Sequence, residues 1–299
     1  MNINLENKDC IEFLKTLEDN SIDGINVDPP YFQIVKNEWD NQWKTEDEYI
    51  EWCRQWTEEC FRVLKPGRCF YVWGTTKTDT FLRYKLEVLN KIKDAHYQNW
   101  IIWHYDWGGR TKKTFARKHE DLLMYSKGKA FLFNAEDVLV ERAVKKNMAL
   151  QRKIKLLENK IDDPDKELST KDKKAWKTYF SKLEPCGYDK KLEDLKSKNT
   201  SFEKGKIPTD VWMKNNHTTS KEYAGWHPTQ KPIAILERTI RANTNEGDTI
   251  MDIFSGSGSM MIASAKCGRN FVGCEKSEEY YRKSLERKEV LMKEYEKDQ

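Results

Sequence analysis

The chain predicts an α/β fold: a doubly wound, mostly parallel sheet with helices on both faces, interrupted once by a helical insertion. Three observations predict it. Short apolar runs alternate with stretches of helical periodicity in the first and last thirds of the sequence, the pattern of strands joined by crossover helices. One run, Cys69-Phe70-Tyr71-Val72-Trp73-Gly74, has no polar interruption, as a strand buried on both faces requires. Between the two thirds, residues 135–206 lose the strand pattern and turn Lys/Glu-rich.

The elements follow in order. Ile3-Asn4-Leu5 reads as a short strand, and Cys10 to Leu17 sets its apolar residues on one helical face. Gly24-Ile25-Asn26-Val27 is a buried strand that ends at Asp28. After a Trp-rich loop, Glu46 to Leu64 reads as a helix closed by Lys65-Pro66-Gly67. Trp100 to Tyr105 and Asp121 to Ser126 are two further strands, and they flank a basic loop. From Val138 to Ile161 apolar residues fall on a heptad (Val140, Ala143, Leu150, Ile154, Leu157, Ile161) with Asn147 interrupting it, and Pro164 stops it. A second helix spans roughly Lys171 to Leu183, and a Lys/Glu-rich tail runs to Lys206. The segment 135–206 is thus expected to be an inserted helical hairpin, packed on itself or coiled against a partner, dividing a domain of residues 1–134 and 207–299. The α/β pattern resumes with a helix at Ile233–Ala242, a strand at Thr249–Phe254 and a glycine turn at Ser255–Ser259. A helix at Met260–Cys267, a strand at Asn270–Glu275 and a charged final helix complete it.

Composition narrows the function classes. At 299 residues and 34% charged, with a mean hydropathy of −0.88, the chain is expected to be soluble. No run of 18 apolar residues predicts a membrane span. The N-terminus lacks a basic-then-apolar signal, and the seven cysteines form no C-x-x-C pair. Reduced thiols and a cytoplasmic location are expected. The five histidines do not fall at ligand spacing, so no metal site is predicted. Net charge is only +4, but residues 136–206 carry 19 Lys/Arg against 14 Asp/Glu. Arg110, Lys112, Lys113, Arg117 and Lys118 crowd one loop. Such a cluster is either a phosphate footprint or a solvated charged face.

Two motifs carry chemistry. Asp28-Pro29-Pro30-Tyr31 follows a strand. Its carboxylate and a proline-flanked carbonyl can both accept from one amino group, and the ring offers a stacking face; the bland reading is a strand followed by a turn. Near the other end, Asp252-Ile253-Phe254-Ser255-Gly256-Ser257-Gly258 is a strand and glycine turn opening a helix. Glycines there let a nucleotide-like cofactor approach the backbone, and Glu275, at the end of the next strand, can accept from ribose hydroxyls. A third glycine of the dinucleotide fingerprint would fall at Met261, which disfavours NAD and leaves other adenosine-containing cofactors.

In this order the blocks resemble the amino-group DNA methyltransferases of the permuted β-class. Lys8-Asp9-Cys10-Ile11 with Asp19 to Asp23 is similar to the family's opening, and Leu64 to Gly67 with Phe70 to Gly74 to its central strand. Trp226-His227-Pro228-Thr229-Gln230-Lys231-Pro232 is similar to the block before the glycine motif. The resemblance covers residues 1–134 and 208–290, and the insert occupies the family's variable target-recognition position. It implies a Rossmann-like methyltransferase fold in circularly permuted order, with S-adenosylmethionine as cofactor. By that resemblance the catalytic block is Asp28, Pro29, Pro30 and Tyr31. The cofactor site is Asp9, Asp28, His227, Thr229, Lys231, Asp252, Phe254, Ser255, Gly256, Ser257, Gly258 and Glu275. Lys231 is expected to pair with the cofactor's carboxylate, and Asp9 to be a cofactor ligand, a helix N-cap, or both. DNA is the implied partner, with a homodimer possible and the basic loop on phosphates. An acid as first residue of the tetrapeptide implies adenine N6. Cytosine N4 is the alternative, and a non-catalytic DNA-binding protein or a methylase of RNA or protein are the rivals.

Overall fold

Eight strands form one sheet among the described residues of the computed structural model, which are 1–34, 36, 38–106, 113–140, 144–163, 165, 167–183, 187–203, 206–213 and 222–297. The strands are β1 Ile3–Asn7, β2 Ile22–Val27, β3 Leu64–Gly74, β4 Ala95–His104, β5 His119–Lys127, β6 Val211–Met213, β7 Thr249–Asp252 and β8 Asn270–Glu275. Their order is β1-β8-β7-β2-β3-β5-β4-β6. Five of the seven pairings are parallel; only β5 runs against its neighbours β3 and β4. The sheet is therefore mostly parallel, as its alternating sequence implies.

Helices cover both faces, and β3 shows why. Its side chains alternate: Phe70 and Val72 enter one core, while Cys69, Tyr71 and Trp73 enter the other. The first core is closed by α1 (Cys10–Leu14) and α2 (Glu46–Val63), and the second by α7 (Ile233–Asn243), α8 (Ser259–Lys266) and α9 (Glu278–Lys297). Thr45 caps α2 by accepting from the Glu48 N–H at 3.2 Å, and the Glu48 carboxylate reaches back to the Lys44 N–H at 2.9 Å, a variant of the capping box. A short α3, Thr80–Arg83, follows β3.

Several boundaries differ from expectation for local reasons. Residues Lys65-Pro66-Gly67 do not end α2 in a separate turn. The strand starts at Leu64, and a register shift against β2, with Gly67 at φ +76°, absorbs the extra residues. Helix α1 stops at Leu14, four residues after its start, and tight turns carry the chain through Leu17. β7 ends at Asp252, two residues early, because the Asp252 carboxylate takes the Phe254 N–H at 3.0 Å and turns the chain out of the sheet. β6 is an edge strand beside β4 that was not expected.

The chain divides into two compact units, Met1–Asp137 with Thr209–Gln299, and Val138–Pro208. The second is not a hairpin. Its described residues hold three helices, α4 (Val144–Asp162), α5 (Thr170–Phe180) and α6 (Tyr188–Glu203). Leu156, Leu157, Phe180 and Leu195 form its own small core, with Leu150, Ile154 and Ile161 packed against it. α6 occupies the stretch expected as a charged tail: Leu192 and Leu195 give it the apolar edge that joins that core. Val140 leaves the heptad and bridges Lys206 as an isolated antiparallel pair. No helix among the described residues is long and apolar enough to cross a membrane.

β7 and β8 meet with no room to spare at Gly273, where a Cβ would lie 2.3 Å from the Asp252 carbonyl oxygen. Backbone, not a mobile side chain, would have to yield. Gly273→Ala should therefore destabilise the protein by about 1–3 kcal/mol, measured as the shift in urea midpoint at constant slope.

Candidate active site

The C-terminal ends of β2, β3 and β7 converge on one edge of the sheet, and a cavity of about 1020 Å³ opens there. Ligands of open α/β sheets bind at that edge, where the connections part to opposite faces. β5 contributes its start, because an antiparallel strand begins where its neighbours end. Lining side chains include Asp9, Asp28, Pro29, Pro30, Tyr31, His227, Thr229, Lys231, Asp252, Phe254, Ser255, Gly256, Ser257 and Glu275. The chain's two motifs, more than two hundred residues apart, thus share one cavity. Gly258 is not among the lining residues: it sits at φ +74°, and its missing Cβ makes room for Ser284 of α9.

The glycine turn is locked from two sides. The Glu275 carboxylate accepts from the Gly256 N–H at 2.7 Å and the Ser277 N–H at 2.8 Å. On the other side Arg287, buried in α9, donates to the Ser257 carbonyl at 2.7 Å and to Ser259 Oγ at 3.1 Å. Gly256 has φ +49°, and a Cβ there would lie 2.7 Å from His227 Nε2. Only glycine fits beneath that imidazole. Burial pushes the Glu275 carboxyl above its usual range, opposed by the backbone N–H groups it accepts.

Asp28 is held from two sides. Its Oδ1 accepts from the Tyr31 hydroxyl at 2.7 Å, and its Oδ2 from the Lys231 ammonium at 2.5 Å. Burial and the neighbouring Asp28 raise the Tyr31 phenol well above its ordinary value, so it stays a donor. The Pro30 carbonyl is occupied by the Tyr49 hydroxyl at 2.9 Å. Among the described residues no hydrogen bond reaches the Pro29 carbonyl. Within the Asp28–Tyr31 block, Asp28 and the Pro29 carbonyl are thus the acceptors that face the cavity.

Lys231 lines the cavity and meets two carboxylates. It is 5% exposed and lies between Asp28 and Glu120, whose Oε2 is 3.1 Å away. Burial alone lowers a lysine pKa; the two carboxylates more than reverse this, and Lys231 stays charged. Asp9 caps α1 through the Ile11 N–H at 3.0 Å while also lining the cavity, so both of its readings are compatible. His227 lies near the indole of Trp39 with the rings almost parallel, and meets Tyr280 edge to face. Burial drops its pKa to about 4, so it is neutral at physiological pH, and its Nδ1 makes no hydrogen bond among the described residues. Ser255 Oγ is likewise buried without a partner.

Sequence reasoning missed Glu120, Trp39 and Tyr280. Glu120 was visible only through the direction of β5. The linker 105–118 between β4 and β5 lacks the helix pattern that a parallel crossover usually carries, which favours an antiparallel pair and so puts the start of β5 at the cavity. Of the basic loop, Arg110 and Lys112 lie outside the described residues. Lys113 is exposed, Arg117 lines the cavity and reaches Thr75 Oγ1 at 3.4 Å, and Lys118 donates to the Asp106 carbonyl at 3.0 Å. The described residues hold no cluster suited to a metal ion.

Comparison with known proteins identifies the class. Residues 22–286 match the DNA methylase family of N6/N4 amino-methyltransferases. The chain belongs to that family: it is an amino-group DNA methyltransferase. It is 32% identical to the DNA adenine methyltransferase YhdJ of Escherichia coli (strain K12), over 94% of this chain and 81% of that one. It is 28% identical to the type II methyltransferase M.HpaI of Haemophilus parainfluenzae, over 93% of this chain and 71% of the other. Among solved structures it resembles the cytosine-N4-specific PvuII DNA methyltransferase, with a TM-score of 0.62 at 16% identity over 96% and 86% of the two chains. The M1.HpyAVI–SAM complex aligns with a TM-score of 0.55 at 19% identity over 95% and 98%. At those identities the likeness is one of fold, the Rossmann-like methyltransferase sheet.

Asp252 makes the site sensitive to pH. Burial, and then the nearby Asp28 and Glu275, outweigh the Phe254 N–H and raise its pKa to about 8. Between the ordinary Asp value of about 4 and about 8, the folded chain holds a proton that the unfolded chain has lost. The resulting stability is whole below that window and is lost as pH rises through it. Asp252→Asn keeps the acceptor for Phe254 but cannot ionise. Its melting temperature relative to the wild type should rise between pH 5 and pH 9, read by calorimetry across that range.

Proposed function

We propose that this DNA methyltransferase carries a methyl group from S-adenosylmethionine to N6 of an adenine flipped out of duplex DNA. The observation that carries the reading is the pair of acceptors, Asp28 Oδ1/Oδ2 and the Pro29 carbonyl, which has no partner among the described residues, sharing a cavity with the Gly256 turn. The acid at position 28 and the similarity to YhdJ favour adenine over cytosine. The catalytic block precedes the glycine turn along the chain, which we read as the permuted order.

The residues fit the cofactor. Gly256 leaves a cradle that a Cβ would fill, Ser255 Oγ and His227 Nδ1 are buried without partners among the described residues, and Glu275 is fixed at the end of β8. Each Glu275 oxygen spends one lone pair on a backbone N–H and keeps capacity for ribose hydroxyls. Asp9, Phe254, Ser257, Thr229 and His227 would complete the cofactor's surroundings. Lys231 is already shared by Asp28 and Glu120, so we assign it to Asp28 rather than to the cofactor's carboxylate.

S-adenosylmethionine supplies the methyl group as an electrophile. The chain's own task is to make a poor nucleophile react. An exocyclic amino nitrogen delocalises its lone pair into the ring. By accepting its two N–H bonds, Asp28 and the Pro29 carbonyl would turn that lone pair out of conjugation. Both acceptors are rigid: proline fixes the backbone, and Tyr31 and Lys231 hold the carboxylate. Fixed acceptors stabilise the positive charge that grows on nitrogen. The base must leave the duplex to reach them, and Tyr31 would stack on it.

The basic loop and the insert are proposed to meet DNA. We assign phosphate contacts to Arg110, Lys112, Lys113, Arg117 and Lys118, and target recognition to the insert, with dimerisation as its other use. Asp28→Ala should abolish methyl transfer to DNA while calorimetry shows cofactor binding largely intact; near-normal turnover would remove the reading. Methyl-group mapping by single-molecule sequencing distinguishes adenine from cytosine products. Replacing Lys112 and Lys113 by Ala should weaken binding to target and non-target duplexes alike, and flatten the log K against log[salt] slope by roughly 0.9 per lost contact. Deleting residues 138–204 should instead erode sequence choice, and a monomeric deletion variant that still methylates the same site would exclude the insert from recognition.

A further inference from the structure

The cavity floor holds one ammonium between two carboxylates. Lys231, from the block before α7, lies 2.5 Å from Asp28 Oδ2 at the end of β2 and 3.1 Å from Glu120 Oε2 at the start of β5. The ring of Trp73 covers the ammonium at 5.2 Å, and its indole N–H is tied to Asn26 Oδ1 at 2.9 Å. One carboxylate would neutralise a buried lysine. A second carboxylate, with its buried Oε2 3.1 Å from the ammonium, adds a desolvation cost that a single pair would not carry. When Glu120 is ionised, the three groups carry one net negative charge beside the place expected for the reacting nitrogen.

We infer that Glu120 is a positioning residue for methyl transfer, acting through Lys231. Shared between two carboxylates, the ammonium cannot fully neutralise Asp28 and cannot swing away from it. Asp28 is then held in one orientation and stays electron-rich toward the target amino group. The inference rests on the reading of Asp28 as an acceptor. Glu120 also answers to its other neighbours. Burial raises its pKa, Lys231 opposes this, and Asp28 and the adjoining Asp121 add to it. Asp121 is held by Trp100 and Thr76, while Tyr105, His119 and Arg117 share the cavity wall. Turnover should thus need Glu120 ionised, above the usual carboxylate range.

The test is the single-turnover rate of full-length protein on unmethylated genomic DNA with radiolabelled S-adenosylmethionine, from pH 5 to pH 9. Glu120→Gln should slow methyl transfer at least about tenfold with cofactor affinity unchanged within about twofold, and should move the acid limb of the rate profile. Because the effect passes through Lys231, Glu120→Gln combined with Lys231→Met should be no slower than the slower single variant. A normal rate, an unmoved acid limb or additive losses would overturn the inference. If Glu120→Gln does not fold, Glu120→Asp replaces it: a smaller loss with the acid limb kept is expected, and an unchanged rate overturns the proposal. Asp28→Ala, run in parallel, separates the two claims. An inactive Asp28→Ala beside a normal Glu120→Gln sinks this inference alone, whereas an active Asp28→Ala sinks the reading beneath it.

Discussion

A buried ammonium must find carboxylates, and that requirement organises this protein's active edge. Lys231 cannot stay charged at 5% exposure without partners, and its partners come from β2 and β5. One side chain therefore fixes the end of a parallel strand, the start of an antiparallel one and the segment entering α7. The Asp-Pro-Pro-Tyr block gains its geometry from this contact as much as from its prolines. Without Lys231, Asp28 would keep only the Tyr31 hydroxyl among the described residues.

The glycine turn obeys a parallel rule with the charges reversed. There an acid, Glu275, is held by backbone N–H groups, and a buried arginine, Arg287, holds carbonyl and hydroxyl oxygens. His227 spans the two arrangements, lying over Gly256 while its ring feels Asp28, Lys231 and Arg287. Its neutrality follows from burial. A protonated imidazole there would face two cations already committed elsewhere.

What was legible in the sequence was whatever depends on period and position along one strand. The alternation of β3 into two cores, the strand ends at Asp28 and near Asp252, and the glycine turn could all be read from spacing. What was not legible depends on which strands lie side by side. Glu120 carries no motif; it became a cavity residue because β5 runs antiparallel. Lys231 sits in a recognisable block, yet its partners are 203 and 111 positions away. Gly258 looked equivalent to Gly256, but its missing Cβ makes room for Ser284 of α9, a contact that spacing along the sequence does not report. β6 has three residues, too few for an alternating pattern to register, and α6 hides its two buried-side leucines among lysines and acids.

The cysteines bear on how the methyl group can move. A covalent route would need a thiolate near the cavity, and Cys10 does line it. Burial, reinforced by Asp9, pushes that thiol up to about 12, and Cys69 is raised to about 12 by burial as well. The other described cysteines are buried, with pKa values raised by the same cause. At neutral pH a thiol so raised carries almost no thiolate, the form that attacks. Methylation at a ring carbon commonly calls for such an attack to activate the ring; methylation at an exocyclic nitrogen does not, since that nitrogen already owns a lone pair. Silent thiols among the described residues accord with the second reaction, which is the chemistry of the chain's family.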